Sequence, residues 1–94
     1  MAYRYSFTIT KTSADAPVTN SDIQAKYEEF QAAGKIVGGG TNVDPDNSLV
    51  ENQYIDFDTE ASSTEFITDL QNALGVGQVL NSGLTMSNVT GAEI

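Results

Sequence analysis

From Tyr3 to Thr10 apolar and polar residues alternate without a break, with Tyr3, Tyr5, Phe7 and Ile9 on one side and Arg4, Ser6, Thr8 and Thr10 on the other. Residues two apart on an extended chain share a face, so this predicts a half-buried strand over 3–11. The period then changes. Ile23, Tyr27 and Phe30 recur at helical spacing with Ala33 continuing the stripe, behind a Ser21–Gln24 capping pair and ahead of Gly34, which is placed to end a helix in the left-handed conformation. That spacing predicts a helix over 22–33, with Lys35 complementing its negative end.

Ile36 and Val37 open a second extended segment that runs into Gly38, Gly39 and Gly40 before Thr41, Asn42 and Val43. Three glycines in an extended run suit a bulged edge strand or a close backbone approach. Asp44–Ser48 is a turn by composition. A third strand is predicted over 49–58, clearest at Tyr54–Asp58; since Glu51 and Gln53 fall in phase with Ile55 and Phe57, it is expected to begin near Asn52 or to contain a bulge. Phe66, Ile67, Leu70, Ala73 and Leu74 mark a second helix over 63–74, with Ser62 and Glu65 as its capping pair and Gly75 as its stop. Val76–Leu80 is a short apolar patch, and Asn81–Gly83 can turn. Leu84, Met86 and Val89 suggest a last strand before a loose tail at Gly91–Ile94.

Strand, helix, strand, strand, helix, strand is the order of a ferredoxin-like α+β sandwich, a four-stranded antiparallel sheet with two helices on one face, here as a single domain over 1–94. The first and third strands are expected at its centre as parallel neighbours. The uncovered sheet face would carry Arg4, Ser6, Thr8 and Thr10 together with Tyr54, Asp56 and Asp58.

Charge narrows the function. Thirteen acidic residues stand against four basic ones, for a formal net charge of −9. Arg4, Lys11, Lys26 and Lys35 are spread singly, which argues against direct binding of a phosphate backbone or an anionic membrane. No apolar run approaches the ~20 residues of a membrane-spanning helix. The segment MAYRYSFTITK has no secretory apolar core, so a cytoplasmic or virion-associated location is expected. Neither cysteine nor histidine occurs, which removes disulfides, thiolate zinc sites and imidazole-dependent triads.

The remaining candidate chemistry is thin. Asp44, Asp46 and Ser48 fit positions one, three and five of a calcium loop, but Leu49 stands where glycine belongs and Ile55 where glutamate belongs, so Asp44 and Asp46 are weak metal candidates. The glycine run has no GK[ST] and no helix start after it, unlike a phosphate loop. Asp56 and Asp58 share a strand phase, where mutual repulsion would raise one proton affinity as in carboxylate-pair hydrolysis, yet the chain has no tryptophan to stack a sugar. Base stacking is disfavoured because only Tyr54 would lie on the open face. Asn88-Val89-Thr90 matches a glycosylation acceptor in a chain without a secretion signal.

The expectation is therefore a small acidic, non-enzymatic interaction or structural module without a cofactor, working as a homo-oligomer or inside an assembly. Its contacts would be the edge segment Ile36, Val37, Gly38, Gly39 and Gly40, or the open-face group Ser6, Thr8, Thr10, Tyr54, Asp56 and Asp58. Small size, few lysines and abundant Thr, Ser, Asn and Gly are similar to accessory proteins of phages and other viruses. The alternatives are an acidic nucleic-acid mimic that binds a basic protein, and a small-ligand or weak carboxylate-based site on the open face.

Overall fold

Six elements follow in the order β1 (Tyr3–Thr10), α1 (Ser21–Ala32), β2 (Ile36–Asp44), β3 (Asn47–Phe57), α2 (Glu60–Leu74) and β4 (Thr85–Glu93). The computed structural model describes residues 2–13, 17, 21–74 and 84–94. The expected apolar patch Val76–Leu80, the turn Asn81–Gly83, the Gly75 stop and most of the loop before α1 lie outside them.

One sheet holds the strands in the order β2-β3-β1-β4, and every neighbouring pair is antiparallel. This is the ferredoxin-like α+β arrangement. β1 and β3 are central as expected, but they run antiparallel, with Tyr3 opposite Phe57 and Thr10 opposite Val50. The β2–β3 turn reverses the chain after the α1 crossover, so β3 must run against β1.

Tyr5, Phe7, Ile9, Ile36, Ile55 and Phe57 face the helices, which return Ile23, Tyr27 and Phe30 from α1 and Phe66, Ile67 and Leu70 from α2. Phe66 is the hub: its ring lies 5.2 Å from that of Phe30 and 5.6 Å from that of Phe57, both tilted or edge-on. α1 ends as its sequence predicts. Gly34 has φ of 76°, while Lys35 N–H donates to Phe30 O at 2.9 Å and Gly34 N–H to Gln31 O at 3.1 Å, a Schellman closure. Ala33 is exposed and leaves the buried stripe.

Three boundaries differ from expectation. α2 starts at Glu60 instead of near Ser63, because the cap is Thr59, whose Oγ1 accepts the Ser62 N–H at 3.2 Å. Ser62 and Ser63 are small, buried residues inside the first turn, not caps, and Ser62 Oγ accepts from the Thr59 hydroxyl at 3.2 Å. β3 is regular from Asn47, with no bulge in its pairing to β1, so Glu51 and Gln53 do face the helix layer. The tail is not loose either: Gly91, Ala92 and Glu93 pair with Tyr5, Arg4 and Tyr3, and Ile94 N–H donates to Ala2 O at 3.0 Å. A bulge makes this possible. Opposite Phe7, β4 holds one residue too many, with Asn88 at φ 52°, and so returns Gly91 to the helix-side face.

Candidate functional site

The open face is a polar layer built on the two central strands. Arg4 and Asp56 stand opposite each other on β1 and β3 and form a two-pronged ion pair, with Arg4 Nε 2.7 Å from Oδ1 and Nη2 3.0 Å from Oδ2. The guanidinium also lies 4.1 Å above the Tyr54 ring. Tyr54 in turn covers Gly40: a Cβ there would stand 2.6 Å from the ring, and one at Gly38 would stand 3.3 Å from Asp56 Oδ2. Glycine in β2 is thus what lets this Tyr–Arg–Asp stack lie flat. The opportunity for a close approach, legible in the sequence, is used inside the chain.

The hydrogen bond from Arg4 holds the Asp56 carboxyl below the usual carboxylate range, and Asp56 raises Arg4 in return. This reverses the expected rise from an Asp56–Asp58 pair. Asp58 lies beyond the end of β3, exposed, with its N–H donating to Lys35 O at 3.0 Å, so it does not join the open-face group. A carboxylate fixed in its ionised form beside a guanidinium has no proton to exchange near neutral pH.

Along the same face Ser6 stands opposite Tyr54, and Thr10 is exposed opposite Val50. Thr8 Oγ1 donates to Asn52 Oδ1 at 2.8 Å and accepts from Asn88 Nδ2 at 3.4 Å. Ser6, Thr8, Asn52, Tyr54 and Asn88, but not Thr10, border a shallow depression of about 200 Å³. Within it Thr8, Asn52 and Asn88 are engaged with one another.

The predicted edge segment divides. β2 is an edge strand, but Ile36 is 3% exposed and belongs to the core opposite Phe57, so it is closed to a partner. The bulge between Ile36 and Gly38 turns Val37 outward instead, at 59% exposure, and Val43 is 53% exposed farther along. Neither charge nor proline interrupts Gly38 to Val43. β4, the other edge, is broken in mid-strand by the Asn88 bulge.

The expected Asp44–Ser48 turn narrows to Pro45 and Asp46, and there Asp46 N–H donates to Asp44 Oδ1 at 2.8 Å and Leu49 N–H to Asn47 Oδ1 at 3.0 Å, side-chain turns that occupy these acceptors locally. Among the described residues no group of three acidic side chains is gathered for a metal ion, and no helix is long and apolar enough to cross a membrane.

Two features escaped the sequence reading. The first is an ion pair under the helices: Lys11 Nζ lies 2.6 Å from Glu51 Oε2 with both side chains 10% exposed, and Gln53 Nε2 donates to Glu51 Oε1 at 3.3 Å. Lys11 continues the apolar phase of β1 and Glu51 that of β3, so opposite charges in the core phase of two central strands were its signal. The second is a cavity of about 230 Å³ between helices and sheet. No sequence pattern announces a void.

All four cations stand in ion pairs, the remaining two being Lys26 with Glu29 and Asp69 at 3.2 and 3.8 Å and Lys35 with Glu65 at 2.9 Å. Thirteen acidic residues against these four cations leave the chain with a formal net charge of −9. No family model matches the chain, and no curated protein or solved structure matches it.

Proposed function

We propose that the protein is a small, acidic, non-catalytic interaction module that works as a homo-oligomer or inside a larger assembly, with the β2 edge as its contact. One observation carries the reading: Gly38 to Val43 is an edge without charge or proline, with the exposed side chains of Val37 and Val43 at its two ends. Natural sheets guard such edges when they are not used. A second copy adding its own β2 antiparallel would satisfy the outer backbone groups and cover both valines. The phage-like composition suggests an assembled particle as the setting.

Charge opposes this pairing. At −9 per subunit, association should strengthen as salt shortens the screening length from about 10 Å at 0.1 M to about 3 Å at 1 M. Strand pairing alone covers less than the ~1,200 Å² of a standard interface, so affinity weaker than about micromolar is expected. Light scattering at ~50 and ~500 mM salt tests this: mass should rise with salt, and Val37→Lys with Val43→Lys should return it to monomer. If Thr8→Glu dissociates the oligomer instead, the open face is the contact. A strict monomer in both conditions would remove self-association.

A basic protein partner is the second reading, favoured by the net charge of −9 and by the pairing of each of the four cations with a carboxylate of the chain itself. It requires capture of basic partners at low salt that is lost at high salt.

A further inference from the structure

The cavity has a definite cause. Between Ile36 and Val43 the helix-side positions of β2 are Gly39 and Thr41, so the edge strand brings little side-chain volume under α1. Across from them Phe7, Ile23, Phe66 and Leu70 form an apolar floor. The Tyr27 hydroxyl lies 3.2 Å from where a Cβ on Gly39 would stand, at the rim. Native cores have few voids larger than a water molecule, and an apolar cavity of about 150 Å³ is enough to hold benzene. Here a pocket of about 230 Å³, open to solvent on one side, is left between helices and sheet of a 94-residue chain.

The lining also sets the chemistry of an occupant. No ionised side chain borders the space among the described residues. The polar side chains on the lining are Tyr5, Tyr27, Thr41, Gln53 and Tyr54; the Gln53 amide donates to Glu51 and the Tyr54 ring lies against Arg4, while Tyr27 and Thr41 stand on the β2 side where the space opens. Mostly apolar walls with a few placed polar groups are the usual constitution of a small-molecule site.

We propose that this space is a binding site for a small neutral aromatic molecule of one ring carrying a single hydroxyl or N–H, the ring on the apolar floor and the polar group bonded to Tyr27 or Thr41. Gly39, Gly40 and Thr41 of β2 line this space as well as the proposed edge, but the edge contact would use their outer backbone groups, whereas the ligand would face the helix side.

The test is a methyl and amide NMR titration of the full chain with phenol, toluene and benzoate as probes. Phenol should shift Ile23, Ile55 and Ile67 signals selectively, with a Kd on the order of 0.1–1 mM for a ligand of so few atoms. Toluene should bind several-fold more weakly and benzoate at least about tenfold more weakly, since a carboxylate would be desolvated without a counter-charge. Ile67→Phe, which puts a ring into the space from a half-buried position, should reduce phenol binding at least about tenfold while the circular dichroism spectrum is kept. Tyr27→Phe with Thr41→Val should bring phenol down to toluene's affinity and leave toluene unchanged, which decides the matter even if Ile67→Phe fails to fold. No selective shifts up to about 10 mM phenol, or equal binding of all three probes, would overturn the proposal.

Discussion

Removing Lys11 should cost far more than a surface lysine does, and removing its partner as well should give most of that cost back. Lys11→Met keeps the apolar stem but leaves Glu51, 7% exposed, with the Gln53 amide as its remaining side-chain donor. Breaking a fully buried pair costs roughly 3–5 kcal/mol. With a tenth of each side chain still exposed, about 2–4 kcal/mol is expected here. Glu51→Leu should cost less, about 1–2 kcal/mol, because a long lysine stem can carry its ammonium out to water. The double variant should lie within about 1 kcal/mol of the wild type, since well-packed apolar groups replace buried pairs at little loss. The assay is urea unfolding followed by circular dichroism, where m of about 1–1.5 kcal/mol/M turns a loss of about 3 kcal/mol into a midpoint shift of ~2–3 M. A double variant as unstable as the worse single would refute the pairing, and so would singles within about 0.5 kcal/mol of wild type.

Gly34→Ala should cost about 1–2 kcal/mol with no steric clash, since its φ is 76° and nothing lies within 4 Å of the new Cβ; Gly34→Asn should recover part of this in the same urea titration. Gly40→Ala should cost roughly 1–3 kcal/mol by displacing the Tyr54 ring, and Tyr54→Ala in the same chain should relieve most of it, with the Arg4 side-chain NMR signal reporting the displaced ring. Asp56 has a folded proton affinity below its ordinary 3.8, so its stabilisation is complete above that value and is lost as pH falls through and below it. The stability difference between wild type and Asp56→Asn, measured by urea unfolding from pH 6 to 2.5, should therefore shrink toward zero at the acid end, and a difference that does not change with pH would count against the Arg4 pair.

Local signals carried the fold a long way. The alternation of Tyr3 to Thr10 and the stripe Ile23, Tyr27, Phe30 are each written within one element, and each faces the core as its period requires. Gly34 is equally local, because its conformation depends on the four residues before it. What was misread depends on neighbours distant in sequence. Glu51 looked out of phase until Lys11 arrived beside it, and Asp56 looked like half of a carboxylate pair until Arg4 claimed it. The start of α2 was a contest between two hydroxyl residues, Thr59 and Ser62, which differ only in where the preceding strand lets the chain turn. The open-face group was visible as a face, but its internal bonding was not.

The central position of β1 shapes how the chain reaches this structure. Thr10, the residue of β1 nearest in sequence to its partner, pairs with Val50, and Tyr3 waits for Phe57 on one side and Glu93 on the other. Closing loops that long must precede any reward from the contacts, so β1 is synthesised before both its partner strands and paired late. The β2–β3 hairpin, by contrast, closes over Pro45 and Asp46 and can form on its own timescale. Until β3 docks, Tyr3, Tyr5, Phe7 and Ile9 are a bare apolar strand face beside hydroxyls, with Arg4 and Lys11 as the only charges near it. The segment that organises the native sheet is thus also the one most exposed to wrong pairing during folding, and slowing β3 formation, for instance by weakening the Asp44–Asn47 turn, should show up as aggregation before it shows up as lost stability.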